Sequence, residues 1–166
     1  TIVDLSADVP MILRPGYITK EMLEKVIGEV RVDPGLIAAD SDLRPKAPGM
    51  KYKHYAPKAQ MILVSGQTEA VAARINELVK ADVLEGKKAG IIGSDETITQ
   101  YEGAVVKSIG SRQDEDAIAR HLYGILREFD ELDVDIIYSE CFATPRIGQA
   151  IMNRLLKAAG HQIIEV

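Results

Sequence analysis

The sequence predicts an α/β protein with a small, Rossmann-like, mostly parallel five-stranded sheet and helices on both faces, preceded by a shorter αβ segment and an extended linker. The first observation is that five short apolar runs alternate with amphipathic helical patterns from Ala59 onward. The second is that these runs are apolar throughout, as in parallel strands buried on both faces. The third is a stretch before Ala59 that Pro and Gly interrupt too often for regular structure.

Residues 1–32 are predicted to form two short strands and one helix. The strands are Thr1–Leu5 and Met11–Arg14, separated by a turn. Thr19 is placed to cap a helix that Gly28 ends. So small a unit keeps most of its surface in water and cannot bury a core of its own. We therefore expect an upstream part of the domain to be missing, and we interpret residues 1–32 as the C-terminal remnant of a larger domain.

Residues 33–58 are predicted to form an extended linker. Six Pro and Gly residues punctuate it, and Pro-rich chain stays extended at low entropic cost. Between Leu43 and Lys58 there are five Lys or Arg, two Tyr, one His and no acid, although the whole chain has 20 basic and 25 acidic residues. This local positive charge predicts an anionic partner. A loop of this length is a functional cover or a linker between domains, and we expect it to be both.

Residues 59–166 are predicted to form one domain of alternating strands and helices. Right-handed crossovers between parallel strands place helices on both faces of such a sheet. Gly160 is expected to cap the last helix at its C-terminal end. The predicted strands are 61–64, 89–92, 104–108, 134–138 and 161–166, and the predicted helices are 68–84, 95–101, 114–129 and 146–159.

The loops at the carboxyl ends of the strands lack the usual nucleotide-binding fingerprints. The loop Ser65–Thr68 has neither the spaced glycines of a dinucleotide site nor the Lys of a P-loop. The loop Gly93–Glu96 either caps a helix or touches an anion, and capping is the more common role of Ser and Asp at such positions. Cofactor binding through either fingerprint is therefore not expected.

Metal-dependent and nucleophilic catalysis are not expected either. The three histidines and the single Cys141 have no zinc-ligand spacing, and no Ser-His-Asp or Cys-His order accompanies an elbow motif. One Cys is most simply a small buried residue in a reducing compartment, so we expect a cytoplasmic location. No run approaches the roughly 20 apolar residues that a membrane span needs. The net charge of -5 argues against general nucleic-acid coating but not against a local anion site.

Arg14 and the last helix are the remaining candidates for an anion site. Arg14 ends a strand just before a Pro-Gly turn, and its guanidinium either binds a phosphate or carboxylate or forms a surface salt bridge with Asp4 or Glu21. The helix 146–159 is either a core helix whose cations suit its dipole or a binding surface where Arg154 meets the linker or another domain. The residues alone leave both pairs of alternatives open.

Four stretches of the chain carry a resemblance to a known family. They are Thr1–Asp4, Ile12–Thr19, Pro48–Pro57 and Gly148–Leu155. Together they resemble the C-terminal two thirds of the two-domain L-threonylcarbamoyladenylate synthases, in which a linker joins a YrdC-like catalytic domain to a Rossmann-like domain. The resemblance spans essentially all 166 residues. It implies a remnant of the YrdC-like domain at residues 1–32, a linker or lid at 33–58 and the Rossmann-like C-terminal domain at 59–166.

The resemblance implies a nucleotidyltransferase reaction. L-threonine, bicarbonate and ATP give threonylcarbamoyl-AMP and pyrophosphate, with Mg²⁺ balancing the triphosphate charge, and downstream proteins pass the threonylcarbamoyl group to an adenosine of certain tRNAs. The tRNA need not bind this protein directly. By the same match, Arg14 is an ATP-phosphate ligand and Tyr52 contacts the nucleotide. Lys51, His54 and Tyr55 belong to a lid that keeps water from a hydrolysis-prone product.

The chain departs from the family in one respect, because the Lys-x-Arg and Ser-x-Asn motifs that hold ATP would precede Thr1. No residue here is assigned as catalytic, and the isolated chain is expected to be inactive. The alternative is a non-enzymatic Rossmann-like module that binds a small ligand, RNA or a protein through its own sheet. Binding of ATP or tRNA to residues 59–166 alone would favour the module, and binding that needs the upstream domain would favour the enzyme.

Overall fold

The computed structural model describes residues 1–34, 56–142 and 148–166, except for the side chain of Gln149. These residues form a three-stranded sheet and a five-stranded sheet. A short 3-10 helix lies at Ile98–Gln100. The elements in chain order are β1 (Ile2–Asp4), β2 (Met11–Arg14), α1 (Lys20–Ile27), β3 (Arg31–Val32), β4 (Gln60–Ser65), α2 (Thr68–Leu84), β5 (Ala89–Gly93), β6 (Val105–Ser108), α3 (Glu115–Glu131), β7 (Ile136–Glu140), α4 (Gly148–Ala158) and β8 (Ile163–Glu165).

The three-stranded sheet contains both strands predicted in residues 1–32 and one that was not predicted. β1 runs antiparallel to β2, and β2 runs parallel to β3. β3 is only two residues long, too short to show a strand pattern in the sequence. Backbone hydrogen bonds define it, with Arg31 N donating to Pro10 O at 2.8 Å and Asp33 N donating to Ile12 O at 2.9 Å.

Helix α1 begins and ends where the sequence predicts. The hydroxyl of Thr19 accepts a hydrogen bond from Met22 N at 3.3 Å, and Gly28 follows the helix with a φ of 80° that suits glycine. The helix nevertheless buries none of its own residues, and Val26 is 83% exposed. An uncovered apolar face of this kind marks a surface that another part of a protein can cover.

The five-stranded sheet has the order β6-β5-β7-β4-β8, and every neighbouring pair is parallel. The prediction of a mostly parallel five-stranded sheet is therefore confirmed, and the observed sheet is parallel throughout. β7 is inserted between β5 and β4, whereas a doubly wound dinucleotide-binding sheet places its first two strands side by side. The sequence analysis did not predict this order.

The core has one layer on each face of the five-stranded sheet, which confirms the prediction of helices on both faces. On one face α2 packs through Val71, Ile75 and Val79 against Val64 and Ile91. On the other face, α3 and α4 pack over the sheet. Buried members of this second layer include Leu63, Ile92, Ile118, Phe129, Ile137, Ile151 and Leu155.

Most predicted bounds differ from those observed by one or two residues or more, and two of these differences have a structural explanation or change the element type. β7 occupies Ile136–Glu140 rather than 134–138, because Asp135 fixes the entry to the strand. The Asp135 carboxylate accepts from Lys88 N at 2.7 Å, and Asp135 N donates to Lys88 O at 2.8 Å. The helix predicted at 95–101 is only the single 3-10 turn. As for membrane insertion, every helix among the described residues is too short or too polar to cross a bilayer.

Candidate functional site

Arg14 lies at the carboxyl end of β2, exposed and directly opposite Ile2 of β1. Gly16 follows so closely against Thr1 that an added Cβ would collide with the Thr1 backbone, so the turn after Arg14 is tightly packed. The salt bridges among the described residues do not include one from Arg14 to Asp4 or Glu21. The salt-bridge alternative from the sequence is therefore wrong for these two acids.

Arg14 lies near two cations of α4. Burial lowers the pKa of Lys157 first, and the positive charge of Arg14 lowers it further. Arg154 lies one turn before Lys157 on the same helix. We call Arg14, Arg154 and Lys157 the cation cluster. It joins residues that are 140 or more positions apart in the chain.

A cavity of about 270 Å³ adjoins the cation cluster, between the N-terminal sheet and the helices α3 and α4. Tyr17 closes it from the N-terminal side, and Ala150 and Arg154 line it from α4. Asp116 and Arg120 line it from α3. The cavity combines an aromatic ring with guanidinium groups, a lining suited to a ligand that carries both a flat apolar part and negative charge.

The four candidate residues of the linker lie outside the described residues. They are Lys51, Tyr52, His54 and Tyr55. Their proposed contacts with a nucleotide therefore remain predictions. Of the residues that the sequence analysis assigned to ATP, the structure places only Arg14.

A second polar site lies at the carboxyl ends of β5 and β7. The chain leaves β5 toward β6 on one side and leaves β7 toward β8 on the other. Ligands of open parallel sheets bind at such a switch point, so this site deserves a description of its contacts. Its centre is Glu140, whose side chain is 1% exposed.

Three side chains from two loops surround the Glu140 carboxylate, with Thr97 and Tyr101 between β5 and β6 and Arg112 after β6. Tyr101 donates to Glu140 Oε1 at 2.5 Å, and the Thr97 hydroxyl donates to the same oxygen. Arg112 forms a salt bridge to Glu140 Oε2, and its guanidinium stacks 5.1 Å from the centre of the Phe142 ring. Burial and the neighbouring Glu140 carboxylate raise the pKa of Tyr101 well above its ordinary value. The carboxylate is fully engaged within the protein, so we interpret this buried polar cluster as structural.

The loop Gly93–Glu96 belongs to the same region. Ser94 begins a turn in which Ser94 N donates to Thr97 Oγ1 at 3.1 Å and Thr97 N donates to Ser94 O at 3.0 Å. Glu96 accepts from Ser111 Oγ at 2.6 Å and from Arg112 N at 3.0 Å. These side chains are engaged within the protein, but no side chain of the loop caps the 3-10 helix that follows it, so the expected capping role is not observed.

The lowered pKa of Glu96 predicts that its contribution to the free energy of unfolding depends on pH. Burial raises this pKa, but the hydrogen bonds from Ser111 and Arg112 prevail and lower it to about 2. A carboxyl whose pKa is lower in the folded protein stabilises the fold fully at pH values above its unfolded-state pKa of 4.5. This stabilisation is lost as the pH falls from 4.5 toward the folded-state pKa of about 2. We expect Glu96→Gln to lower the free energy of unfolding at pH 7 by about 1 kcal/mol, since solvent screens this exposed side chain.

Urea unfolding at a series of pH values measures this difference. The gap between Glu96→Gln and the unmodified protein should close between pH 4.5 and pH 2. A gap that stays constant across this range would contradict the assignment. Glu69→Gln, an exposed acid on α2, provides the control.

The sequence analysis missed Glu140 and its three partners. One signal was available, since an acid directly after an apolar strand has to find partners or reach solvent. Its partners come from loops that follow β5 and β6, which only the strand order brings together.

The structure is that of an α/β protein in which a parallel five-stranded sheet with helices on both faces is accompanied by a smaller three-stranded sheet, and Arg154 of α4 and Tyr17 line one cavity. The family model described as threonylcarbamoyl-AMP synthase, C-terminal domain, matches residues 18–160. The chain therefore belongs to this family.

Two curated relatives match the chain along nearly its whole length. The threonylcarbamoyl-AMP synthase of Bacillus subtilis is 43% identical over 99% of this chain and 46% of its own length. That of Pyrococcus abyssi is 43% identical over 100% of this chain and 47% of its own. The chain thus spans about half the length of these relatives, which is less than the two thirds that the resemblance suggested.

Solved structures agree with this comparison. The crystal structure of P. abyssi Sua5 complexed with L-threonine has a TM-score of 0.85 and is 40% identical in sequence. The match covers 100% of this chain and 47% of the P. abyssi chain. A P. abyssi variant with a histidine and the following tyrosine replaced by alanine also scores 0.85, at 41% identity over 99% of this chain and 45% of its own. The C-terminal Sua5 domain from Pyrococcus horikoshii scores 0.54, at 35% identity over 67% of this chain and all of its own.

Proposed function

We propose that this chain is the C-terminal part of an L-threonylcarbamoyladenylate synthase. The enzyme would make threonylcarbamoyl-AMP and pyrophosphate from L-threonine, bicarbonate and ATP, for the threonylcarbamoyladenosine modification of tRNA. The observation that carries the proposal is the match, at 43% identity and over the whole chain, to proteins named threonylcarbamoyl-AMP synthase. The crystal structure of a relative with L-threonine supports threonine as a substrate.

The proposed domain boundaries are those that the resemblance implies. Residues 1–32 would complete a YrdC-like catalytic domain, 33–58 would be the linker or lid, and 59–166 would be the Rossmann-like C-terminal domain. The uncovered apolar face of α1 supports the first boundary, since a larger domain would bury Val26 and its neighbours. A solved P. horikoshii chain that is the C-terminal domain alone supports the last.

In the proposed reaction, Arg14 binds the phosphates of ATP. The threonine amine and bicarbonate form a carbamate with loss of water, and a carbamate oxygen then attacks the α-phosphate. A new bond between this oxygen and phosphorus forms as the bond to the leaving pyrophosphate breaks. A permanently charged, planar guanidinium at the end of a strand stabilises the negative charge on the phosphate oxygens throughout.

The linker would cover the nucleotide through Lys51, Tyr52, His54 and Tyr55. In the P. abyssi variant structure, a histidine and the tyrosine that follows it are replaced by alanine. This choice of residues supports a role for a His-Tyr pair in the family. His54 is the one histidine of this chain that a tyrosine follows. Closure would exclude water from the mixed anhydride of threonylcarbamoyl-AMP.

Mg²⁺ is proposed as the companion of the ATP triphosphate, but the described residues do not fit a metal site. Residues 1–34, 56–142 and 148–166 contain no group of three or more His, Cys, Asp or Glu that could hold an ion. We therefore assign no step of the reaction to a metal held by this part of the protein.

The proposed setting is the cytoplasm, where ATP, bicarbonate and tRNA occur together. Downstream tRNA-modification proteins would receive threonylcarbamoyl-AMP, which explains why tRNA need not bind the chain itself.

Product formation tests the proposed function. We expect the full-length protein that contains this chain to release threonylcarbamoyl-AMP and pyrophosphate only when ATP, bicarbonate and L-threonine are all present. Residues 1–166 alone should give no product above background, because no catalytic residue is assigned within them. Mass spectrometry of the nucleotide products measures both. A full-length protein with no product, or an active 1–166 chain, would overturn this assignment.

A further inference from the structure

The chain enters the five-stranded domain through two charged side chains of α3. Arg127 Nη2 donates to Ala56 O at 3.0 Å, and Lys58 N donates to Asp130 Oδ1 at 2.7 Å. Arg127 Nη1 and Asp130 Oδ2 form a salt bridge at 2.9 Å, so the two side chains also hold each other. Pro57 is buried between the two residues that they hold. We call Arg127 and Asp130 the entry clamp.

The entry clamp holds the chain rigidly. The Asp130 side chain is only 11% exposed, and hydrogen bonds to a carboxylate that is shielded from water are strong. The Arg127 guanidinium lies 5.5 Å from the centre of the Tyr123 ring, which supports its orientation. Pro57 has a fixed φ and no N–H that would need a partner. Three successive residues are therefore fixed where the linker ends, two by hydrogen bonds and one by burial.

The entry clamp lies on the face of α3 that also meets the N-terminal sheet. Five side chains follow one another on this face at spacings of three or four residues, namely Asp116, Arg120, Tyr123, Arg127 and Asp130. The first two line the cavity that Tyr17 closes from the N-terminal side. Tyr123 lines a second cavity of about 270 Å³, and Arg154 lines both cavities. The clamp thus holds the linker on the side of the domain that faces the N-terminal sheet.

The linker is also held at its other end. Asp33 N donates to Ile12 O at 2.9 Å, a bond that continues the pairing of β3 with β2. The chain is therefore fixed to the N-terminal sheet before the linker and to α3 after it. Segments that are held at both ends by rigid elements can place side chains more precisely than free loops can.

We propose that Arg127 and Asp130 are positioning residues for the synthesis of threonylcarbamoyl-AMP, because they fix the end of the linker on α3. The inference rests on the proposed function, which assigns linker residues to the nucleotide. The nearest of these residues directly precede Ala56 in the chain. Consecutive Cα atoms are about 3.8 Å apart, so a fixed Ala56 limits the positions from which they can act.

The effect of the clamp is geometric rather than entropic. Its loss would free three more residues, 56–58, and closure entropy changes little when a loop of about 20 residues gains three. A displacement of about 1 Å far from the chemistry, by contrast, can cost up to about a hundredfold in rate. The C-terminal domain would thus contribute to the reaction without touching the substrate.

Pyrophosphate release by the full-length protein at varied ATP concentrations tests the inference. We expect Arg127→Ala and Asp130→Ala each to lower kcat/KM for ATP about tenfold, as the linker end becomes misplaced. Because both residues belong to one clamp, their double variant should lose no more than about twofold beyond the larger single loss. Arg127→Lys keeps the charge without the fork that reaches Ala56 and Asp130 together, so it should recover only part of the loss.

Glu128→Ala is the matched control. Glu128 follows Arg127 on α3, is half exposed and forms its salt bridge with Lys107 of β6. Its loss should leave kcat/KM within about twofold of the unmodified protein, as expected for a surface ion pair. Melting temperatures of all variants show that the protein assayed is folded. Equal losses of kcat/KM in Glu128→Ala and Arg127→Ala would overturn the inference.

Amide hydrogen exchange of Lys58 in the full-length protein measures the clamp itself. Lys58 N donates to Asp130, so its exchange should become at least about tenfold faster in Asp130→Ala. Unchanged exchange in this variant would show that the clamp does not hold the chain, and the inference would be wrong.

The two measurements together separate this inference from the proposed function. If Lys58 exchanges faster in Asp130→Ala but kcat/KM is unchanged, the clamp is structural only, the inference is wrong and the proposed function stands. If the unmodified full-length protein makes no threonylcarbamoyl-AMP, the proposed function is wrong and the positioning role is wrong with it. Faster exchange together with a lower kcat/KM, in both single variants and not in Glu128→Ala, is the expected result.

Discussion

Glu140→Ala is expected to lower the free energy of unfolding of the five-stranded domain by about 3–5 kcal/mol, the range for breaking a buried ion pair. Glu140 is 1% exposed and receives a salt bridge from Arg112 and hydrogen bonds from Thr97 and Tyr101. Alanine would leave the Arg112 guanidinium and the buried Tyr101 hydroxyl without the carboxylate, while the Thr97 hydroxyl would keep Ser94 O as an acceptor. Because buried donors cannot recover those bonds from water, the loss exceeds that of an exposed salt bridge.

Urea unfolding followed by circular dichroism measures the effect. Glu165→Ala provides the matched control, since Glu165 is an exposed acid at the end of the neighbouring strand β8 and its loss should change the free energy by less than about 0.5 kcal/mol. Glu140→Gln separates charge from shape, because it keeps an acceptor for Tyr101 but cannot pair with Arg112 as a carboxylate does. A loss below about 1 kcal/mol in Glu140→Ala would contradict the structural role of the buried polar cluster.

The sequence predicted local structure well wherever a strong period was present. The bounds predicted for the second helix, 68–84, are those observed for α2, because its apolar stripe has the helical period over four turns. The strand predicted at 134–138 was displaced by two residues, because Val134 extends the apolar pattern before the strand and the strand itself ends on the polar Ser139 and Glu140. Hydrogen bonds between Asp135 and Lys88 set that boundary, and these partners are 47 residues apart.

The sites depend on information that local sequence does not hold. Arg14 could be singled out as a candidate because a guanidinium before a Pro-Gly turn is a local feature, and its role stays a prediction. The meeting of Tyr17 and Arg154 at one cavity could not be predicted, because only the packing of α4 beside the N-terminal sheet brings them together. The same holds for Glu140, which meets Thr97 and Arg112 only because β7 lies next to β5.

Arg14→Ala is expected to lower kcat/KM for ATP of the full-length protein by at least about a hundredfold, or about 2.7 kcal/mol, the size of the loss when one charge-stabilising donor is removed from an active site. Arg14 is exposed and forms no salt bridge among the described residues, so its removal leaves no buried group unpaired. Folding should therefore survive, with an unchanged melting temperature. Pyrophosphate release at varied ATP concentrations measures the loss.

Arg31→Ala is the matched control. Arg31 lies on β3 of the same three-stranded sheet and forms an exposed salt bridge with Glu29. It should keep kcat/KM within about twofold of the unmodified protein, as expected for a surface ion pair. Arg14→Lys keeps the charge but loses the planar fork, so partial rescue would assign the role to charge and no rescue would assign it to bidentate geometry. Unchanged kinetics in Arg14→Ala would exclude Arg14 as a phosphate ligand.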